Sequence, residues 1–308
     1  MRNILKKILP IVICLLIFYF LGFHIYKNWE KISQYHWKFE PLLLALATLT
    51  WISIMFVNSN VWVYTLHSLN PKLDTWNGMN AWILSNFSKY IPGRVWTLAT
   101  RVYLTSKDGI SKTKSSYSFY LEVILSCLSG ILLFGLFLIS TGIKLKGTYR
   151  VLSIIALCSA PVILVVVHPN IGRIGINLLS KILKKDLPKI DYSYKRTLLI
   201  TAMYFGLWLL RGFAILLLML SFGIGKWSDY FTVSAGFAIS WIGGLVSVIT
   251  PDGLGVREGL FALFLALAVP SYLASAFTIF VRIWITICEI LCFGVFKVLQ
   301  LIRKKCKR

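Results

Sequence analysis

The chain has 308 residues, of which 57% are hydrophobic and 14% charged, and its mean hydropathy is +0.76. These values exclude an ordinary soluble domain and indicate a polytopic membrane protein. The net charge of +22 would suggest nucleic acid for a soluble protein, but here Lys and Arg cluster in loops beside apolar segments. That distribution is typical of membrane orientation and contact with anionic lipids, so we expect no nucleic-acid partner.

Apolar segments of spanning length follow one another along the chain. A span needs about 20 residues, and we predict six full transmembrane helices: Ile8–Tyr26, Pro41–Leu66, Tyr117–Thr141, Val151–His168, Thr197–Phe222 and Tyr272–Ile302. The first is too long for a typical signal peptide and lacks a cleavage site, which favours a retained helix. The polar interval 169–196 is predicted to be a loop, so residues 1–308 form one integral membrane domain.

Two further apolar regions, Trp76–Leu104 and Tyr230–Val269, are interrupted near the middle by proline and glycine. The first break is Pro92-Gly93, and the second contains Pro251, Gly253 and Gly255. Proline removes a helical hydrogen bond and glycine permits the reversal that follows. Broken backbone at membrane depth is tolerated only when it is buried in protein or faces water, so we predict two re-entrant helical hairpins. Simple helix kinks in an ordinary bundle are the alternative.

The loop charges distinguish these topologies. If both broken regions are hairpins, 19 Lys and Arg residues lie on the side of the termini and 7 on the other side. This asymmetry predicts cytoplasmic termini in a bacterial plasma membrane. The hairpins then enter from opposite faces, within repeats of about 41–141 and 197–302. This is the inverted repeat of many transporters.

The first break carries the cations Lys89 and Arg94, with Tyr90 beside them and Arg101 about two turns further on. A half-helix beginning after Pro92 would point free N–H groups and a positive dipole end at an anion. These four side chains are therefore candidate ligands of a lipid headgroup. Alternatively, Lys89 and Arg94 snorkel to the interface without specific binding.

The second break places Asp252, Arg257 and Glu258 close together in sequence. Ionisable groups near the membrane interior are functional candidates because they are costly unless paired or hydrated. We predict that Arg257 contacts the headgroup and that Asp252 takes part in coupling or ion pairing. Glu258 could take up a proton, pair with a cation of the other hairpin, or cap the returning half-helix.

Among the charged residues within predicted spans, Arg211, Arg282 and Glu289 are further candidates for coupling or ion pairing. Arg282 and Glu289 are about 10 Å apart along one helix, so they cannot easily pair with each other. Arg211 and Glu289 are a candidate interhelical pair, either as a structural tie or as part of a polar pathway.

Signatures of enzymes are absent from the sequence. No catalytic Ser/His/Asp set, phosphate-binding loop or metal cluster is present, and the six cysteines lie almost entirely in apolar segments without ligand spacing. We therefore expect no catalysis, metal or cofactor.

The two breaks also carry a family resemblance. The motif residues are Asn86, Lys89, Tyr90, Pro92, Gly93 and Trp96, then Pro251, Gly253, Gly255 and Glu258. They resemble the membrane domain of the lysylphosphatidylglycerol synthase/flippase family, and the hydropathy pattern matches over most of the chain. Asp252 stands where the resemblance leads us to expect a small residue.

The resemblance implies a lipid-translocating domain with re-entrant helices facing a central cavity. Lipid-aminoacylating members carry a soluble transferase domain after the membrane domain; because the sequence ends at Arg308, we expect no lysine transfer. The expected substrate is an anionic or aminoacylated phospholipid or a polyprenyl-linked glycolipid, in cell-surface glycan assembly. The alternatives are a non-catalytic accessory of an envelope-biosynthesis enzyme and, with less support, a polyprenyl-phosphate glycosyltransferase.

Overall fold

The structure, a computed structural model, describes residues 19, 22–69, 73–91, 95–141, 194–247 and 251–306. All regular elements in these ranges are helical. They are α1 (Trp29–Ser33), α2 (Pro41–His67), α3 (Thr75–Phe87), α4 (Val95–Lys107), α5 (Lys112–Ser140), α6 (Tyr194–Ser221), α7 (Tyr230–Val246), α8 (Val256–Leu265) and α9 (Ser271–Cys306), with short 3₁₀ turns at Ser88–Tyr90, Trp227–Asp229 and Pro251–Gly253.

Within the described ranges, four helices are long and apolar enough to cross a membrane: α2, α5, α6 and α9. They correspond to four of the predicted spans. The prediction of an all-helical protein with several membrane-spanning helices is confirmed for the described residues. The predicted spans Ile8–Tyr26 and Val151–His168 lie mostly or wholly outside the described residues, as does most of the loop 169–196, so the total of six stays a prediction.

The chain forms two compact units. The first comprises residues 1–56, 87–96 and 209–308, and the second comprises residues 57–86 and 97–208. These boundaries differ from those of the predicted repeats, and the inverted symmetry of the repeats stays a prediction.

The second broken region folds back on itself within the first unit. A Cβ on Gly236 would lie 2.7 Å from Phe264 Cβ, and one on Gly244 would lie 3.1 Å from Arg257 Cβ. Residue numbers rise along α7 as they fall along α8, so the two helices are antiparallel. The glycines of α7 allow this close approach because they carry no side chain.

The first broken region forms a similar pair of helices within the second unit. The Asn77 side-chain amide donates to Asp108 Oδ1 at 2.9 Å, and Arg101 Nε donates to Ser85 Oγ at 3.0 Å. These contacts make α3 and α4 antiparallel as well. Each of the two has 13 residues, or about 20 Å of helix, which is shorter than the hydrocarbon core of a bilayer.

Each unit has its own packed core. In the first, Trp51 packs edge-on against Trp284 of α9 and Phe237 of α7, with ring centroids 5.3 and 5.8 Å away. In the second, Ser129 of α5 donates a hydrogen bond to the Thr201 carbonyl of α6 at 3.0 Å. The core of the first unit therefore fixes α7, the helix before the second break, against α9.

Candidate functional site: charged residues at the helix breaks

The backbone of the second break bends sharply at three nearby residues. Asp252, Gly253 and Gly255 have positive φ values of 46°, 69° and 85°. Glycine adopts this region freely, and aspartate is one of the few other residues that tolerate it. A Cβ on Gly253 would lie 2.6 Å from Gly244 Cα, so only glycine fits there. The turn sets the position of the Asp252 carboxylate.

Asp252 is surrounded by three cations from three parts of the first unit. Arg282 Nη2 of α9 donates to Asp252 Oδ2 at 2.7 Å. The same oxygen lies 3.7 Å from Arg257 Nη1 of α8 and 4.0 Å from Lys89 Nζ of the Ser88–Tyr90 turn. The two breaks therefore meet at one carboxylate.

Glu289 holds the first break against α9. Lys89 Nζ forms an ion pair with Glu289 Oε1, and the Tyr90 hydroxyl donates to Glu289 Oε2 at 2.9 Å. The Tyr90 hydroxyl also lies 3.1 Å from Thr286 Oγ1. Both oxygens of this buried carboxylate are thus engaged by neighbouring residues of a single turn.

The two carboxylate oxygens of Glu258 make different contacts. Its Oε2 accepts a hydrogen bond of 2.6 Å from the Gly255 N–H, which is the carboxylate cap of α8 that the sequence allowed. Its Oε1 lies 3.6 Å from Arg282 Nε but has no hydrogen-bond donor among the described residues. The capping interpretation is therefore observed.

We call this group the break cluster, and its members are Lys89, Tyr90, Asp252, Arg257, Glu258, Arg282 and Glu289. It contains three cations and three carboxylates, so its formal charge balances. The side chains of Asp252 and Lys89 are 18% and 17% exposed, whereas those of Glu289 and Glu258 are 5% and 3% exposed. The carboxylate shared by three cations is thus the accessible one, and a competing anion could reach its partners.

Arg101 does not join the break cluster. It belongs to the second unit, where it forms an ion pair with Glu122, and Trp82 Nε1 donates to Glu122 Oε1 at 2.7 Å. Its guanidinium lies 4.8 Å from the ring centroid of Trp62 and 5.0 Å from that of Phe119. Arg101 is only 3% exposed and is enclosed by rings, an arrangement typical of a structural ion pair, and its predicted headgroup role stays a prediction. We call these five residues the Arg101 cluster.

The remaining predicted site residues divide into two groups. Pro92, Gly93 and Arg94 lie outside the described residues, and so their predicted roles stay predictions. Arg211 lies on α6, and its pairing with Glu289 also stays a prediction; both Glu289 oxygens have other partners.

The sequence reasoning missed the hydroxyl residues around the cluster, Thr278 and Thr286 of α9 and Ser240 of α7. A sequence signal was available for the first two. Thr278, Arg282 and Thr286 are spaced by four residues, with Glu289 three further on, which places all four on one helix face. This face is a polar stripe in the segment 278–289, whose other residues are apolar.

The helices and their breaks define a multi-pass helical membrane protein with a balanced charge cluster where two broken helices meet α9. A family model described as "Lysylphosphatidylglycerol synthase TM region" matches residues 7–291. The chain belongs to this family, as the motif residues predicted. No curated protein matches the chain.

Proposed function

We propose that the protein binds the anionic headgroup of a membrane lipid at the break cluster and translocates that lipid, as a flippase does. The observation that carries the proposal is the meeting of Lys89, Arg257 and Arg282 at the Asp252 carboxylate. Family membership supports a role connected with membrane lipids. A lipid phosphate is the anion that suits such a set, because guanidinium groups bind it through paired donors and an ammonium binds it as a point charge.

Charge balance determines how the phosphate binds. Lys89 and Arg282 already have carboxylate partners, and so a phosphate must displace a carboxylate rather than fill an empty site. Asp252 is the most exposed carboxylate of the cluster, and we propose that the phosphate takes its place between Arg282 and Lys89. Arg94 would add a further cation if its predicted position after the first break is correct.

The wider proposal follows from the sequence. We propose that the two broken regions are re-entrant and that motion about them alternates access to the site. The substrate class is a phospholipid, aminoacylated or not, or a polyprenyl-linked glycolipid, with both termini in the bacterial cytoplasm. The proposal includes no catalytic step. Topology is tested by reporter fusions at both termini, and a reporter active outside the cytoplasm would contradict it.

The site is tested with the full chain in phosphatidylcholine vesicles containing fluorescent phosphatidylglycerol or a fluorescent polyprenyl phosphate. We expect faster inward movement of at least one probe than in protein-free vesicles, and at least tenfold slower movement for Lys89→Met. The matched control is Lys107→Met, because Lys107 also lies over a tyrosine ring, at 4.4 Å, but is exposed.

Equal rates with and without protein would contradict translocation. Full activity in Lys89→Met would contradict the headgroup site. The accessory hypothesis predicts a different pattern: no movement of either probe, one stoichiometric enzyme partner on purification, and tolerance of both lysine substitutions.

A further inference from the structure

A small cavity lies beside the break cluster, between α7, α8 and α9. Its volume is about 10 Å³, and the polar residues that line it are Ser240, Arg257, Glu258, Thr278 and Arg282. That volume suits a single water molecule and is far too small for a headgroup.

Two buried oxygen atoms of residues lining this cavity have no hydrogen-bond partner among the described residues: Glu258 Oε1 and Thr278 Oγ1. The residues are 3% and 2% exposed. Buried polar atoms are nearly always satisfied, because an unmade hydrogen bond costs about 1–3 kcal/mol. A hydroxyl can donate to an ionised carboxylate or accept from a protonated one, directly or through one water molecule, so these two atoms are complementary in either protonation state of Glu258.

The three carboxylates of the cluster differ in how well their negative charge is stabilised. Asp252 has cations at 2.7, 3.7 and 4.0 Å. Glu289 receives Lys89 on one oxygen and the Tyr90 hydroxyl on the other. Glu258 has one donor, the Gly255 N–H, on Oε2 and none on Oε1. Protonation at Glu258 Oε1 therefore disrupts the fewest interactions.

The charged and titratable groups around Glu258 favour a proton over a metal cation. Arg257 on its own helix and Arg282 on α9 both line the cavity and would repel a bound metal cation. Their charges also favour the ionised carboxylate until a headgroup phosphate neutralises them, so the proton is taken up together with the headgroup. Beyond them lie Asp252 of the second break, Lys89 and Tyr90 of the first, and Glu289 of α9, while α7 contributes the neutral Phe237 and Ser240. A proton needs no space and no further ligands.

Headgroup binding would disturb the charge balance of the cluster. A phosphodiester brings one negative charge to three cations and three carboxylates, and an uncompensated charge is costly where water is excluded. One proton on a carboxylate restores the balance. If that carboxylate is Glu258, its attraction for Arg282 Nε at 3.6 Å also weakens, which frees an N–H for the phosphate.

We propose that Glu258 is a proton-binding site that takes up one proton from solvent when the anionic headgroup binds. The proton bonds to Oε1, which donates to Thr278 Oγ1 directly or through one water molecule, while Oε2 continues to cap α8. This inference rests on the proposed headgroup site. Headgroup and proton binding then each favour the other, which would make H⁺ the coupling ion.

The test is proton counting by titration calorimetry. Full-length protein in detergent is titrated with short-chain phosphatidylglycerol in two buffers of different ionisation enthalpy, between pH 5.5 and 8.5. This phosphodiester is chosen because a phosphomonoester itself titrates near pH 6. We expect uptake of about one proton per lipid over part of this range, where affinity falls about tenfold per pH unit.

Glu258→Gln should bind the lipid with pH-independent affinity and without proton uptake, because the amide imitates the protonated acid and still caps α8. Thr278→Val removes the proton's acceptor and should move the fall in affinity to lower pH. The control Glu30→Gln alters an exposed glutamate of α1 and should behave as the wild type. Inorganic phosphate, titrated in parallel, distinguishes a lipid site from a general anion site.

The outcomes separate the two proposals. Absence of any lipid binding by the wild type contradicts the headgroup site and the coupling with it. Lipid binding without proton uptake contradicts the coupling alone. Unchanged proton uptake in Glu258→Gln contradicts the assignment to Glu258. Should that variant fail to fold, the wild-type proton count and the Thr278→Val shift still decide.

Discussion

Both compact units hold a buried arginine beside a carboxylate, but the charges are enclosed to different degrees. In the Arg101 cluster, one cation and one carboxylate are surrounded by aromatic rings and a serine hydroxyl. In the break cluster, three cations share one partly exposed carboxylate, and a buried carboxylate oxygen has no donor among the described residues. The first arrangement suits a structural tie, whereas the second can exchange partners.

The largest expected effect is loss of stability when the closed pair is broken. Arg101→Met leaves Glu122, whose side chain is only 12% exposed, without its cation, and we expect a loss of about 3–5 kcal/mol in unfolding free energy. Thermal unfolding in detergent measures it, and the double variant Arg101→Met/Glu122→Leu should recover part of the loss. A stable Arg101→Met protein with impaired lipid binding would indicate that Arg101 binds the headgroup and is not a structural tie.

The next effect concerns the backbone of the second break. Gly253→Ala introduces a Cβ at a φ of +69° and within 2.6 Å of Gly244 Cα. Strain and displacement together should cost about 2–3 kcal/mol. The control is Gly206→Ala, at a helical glycine where an added Cβ would meet nothing within 4 Å, which should be neutral or stabilising. Equal unfolding temperatures for the two variants would contradict the tight approach at the break.

A substitution at Asp252 can remove the negative charge without changing the backbone conformation. Asp252→Asn keeps a side chain that tolerates positive φ while removing the negative charge that competes with phosphate. We expect about tenfold tighter binding of short-chain phosphatidylglycerol, about 1.4 kcal/mol, together with a lower unfolding temperature, because Arg257 and Arg282 lose a charged partner. Glu122→Gln makes the corresponding change in the enclosed pair and should lower stability without improving affinity. Weaker lipid binding by Asp252→Asn would contradict displacement of this carboxylate.

The smallest effect is expected at Tyr90. Tyr90→Phe removes the hydroxyl that contacts Glu289 and Thr286 but keeps the ring and the Lys89 ion pair. We expect a loss of about 1 kcal/mol in unfolding free energy. Tyr103→Phe, on an exposed residue of α4, is the matched control and should change stability by less than about 0.5 kcal/mol.

Some of this arrangement could be predicted from the sequence, because broken apolar segments and glycine-rich turns are local signals. The prolines and glycines identified both breaks. Lys89 and Arg257 were predicted to be headgroup ligands, and Arg282 was predicted to be a coupling or ion-pair residue. The pairing could not be predicted, since it depends on how distant segments pack. Arg282 was an ion-pair candidate without a named partner, and it contacts Asp252 across the second break. The rings that enclose Arg101 could not be predicted either, because Trp62 and Phe119 are distant in the chain.

The polar stripe of α9 limits how the site can move. Thr278 and Glu289 are eleven residues apart on one continuous helix, or about 17 Å along its axis. Arg282 contacts the second break, and Glu289 contacts the first. A rotation of this rod about its own axis turns both side chains through the same angle. If α9 rotates, its contacts with the two breaks, made by Arg282 and Glu289, would therefore break together.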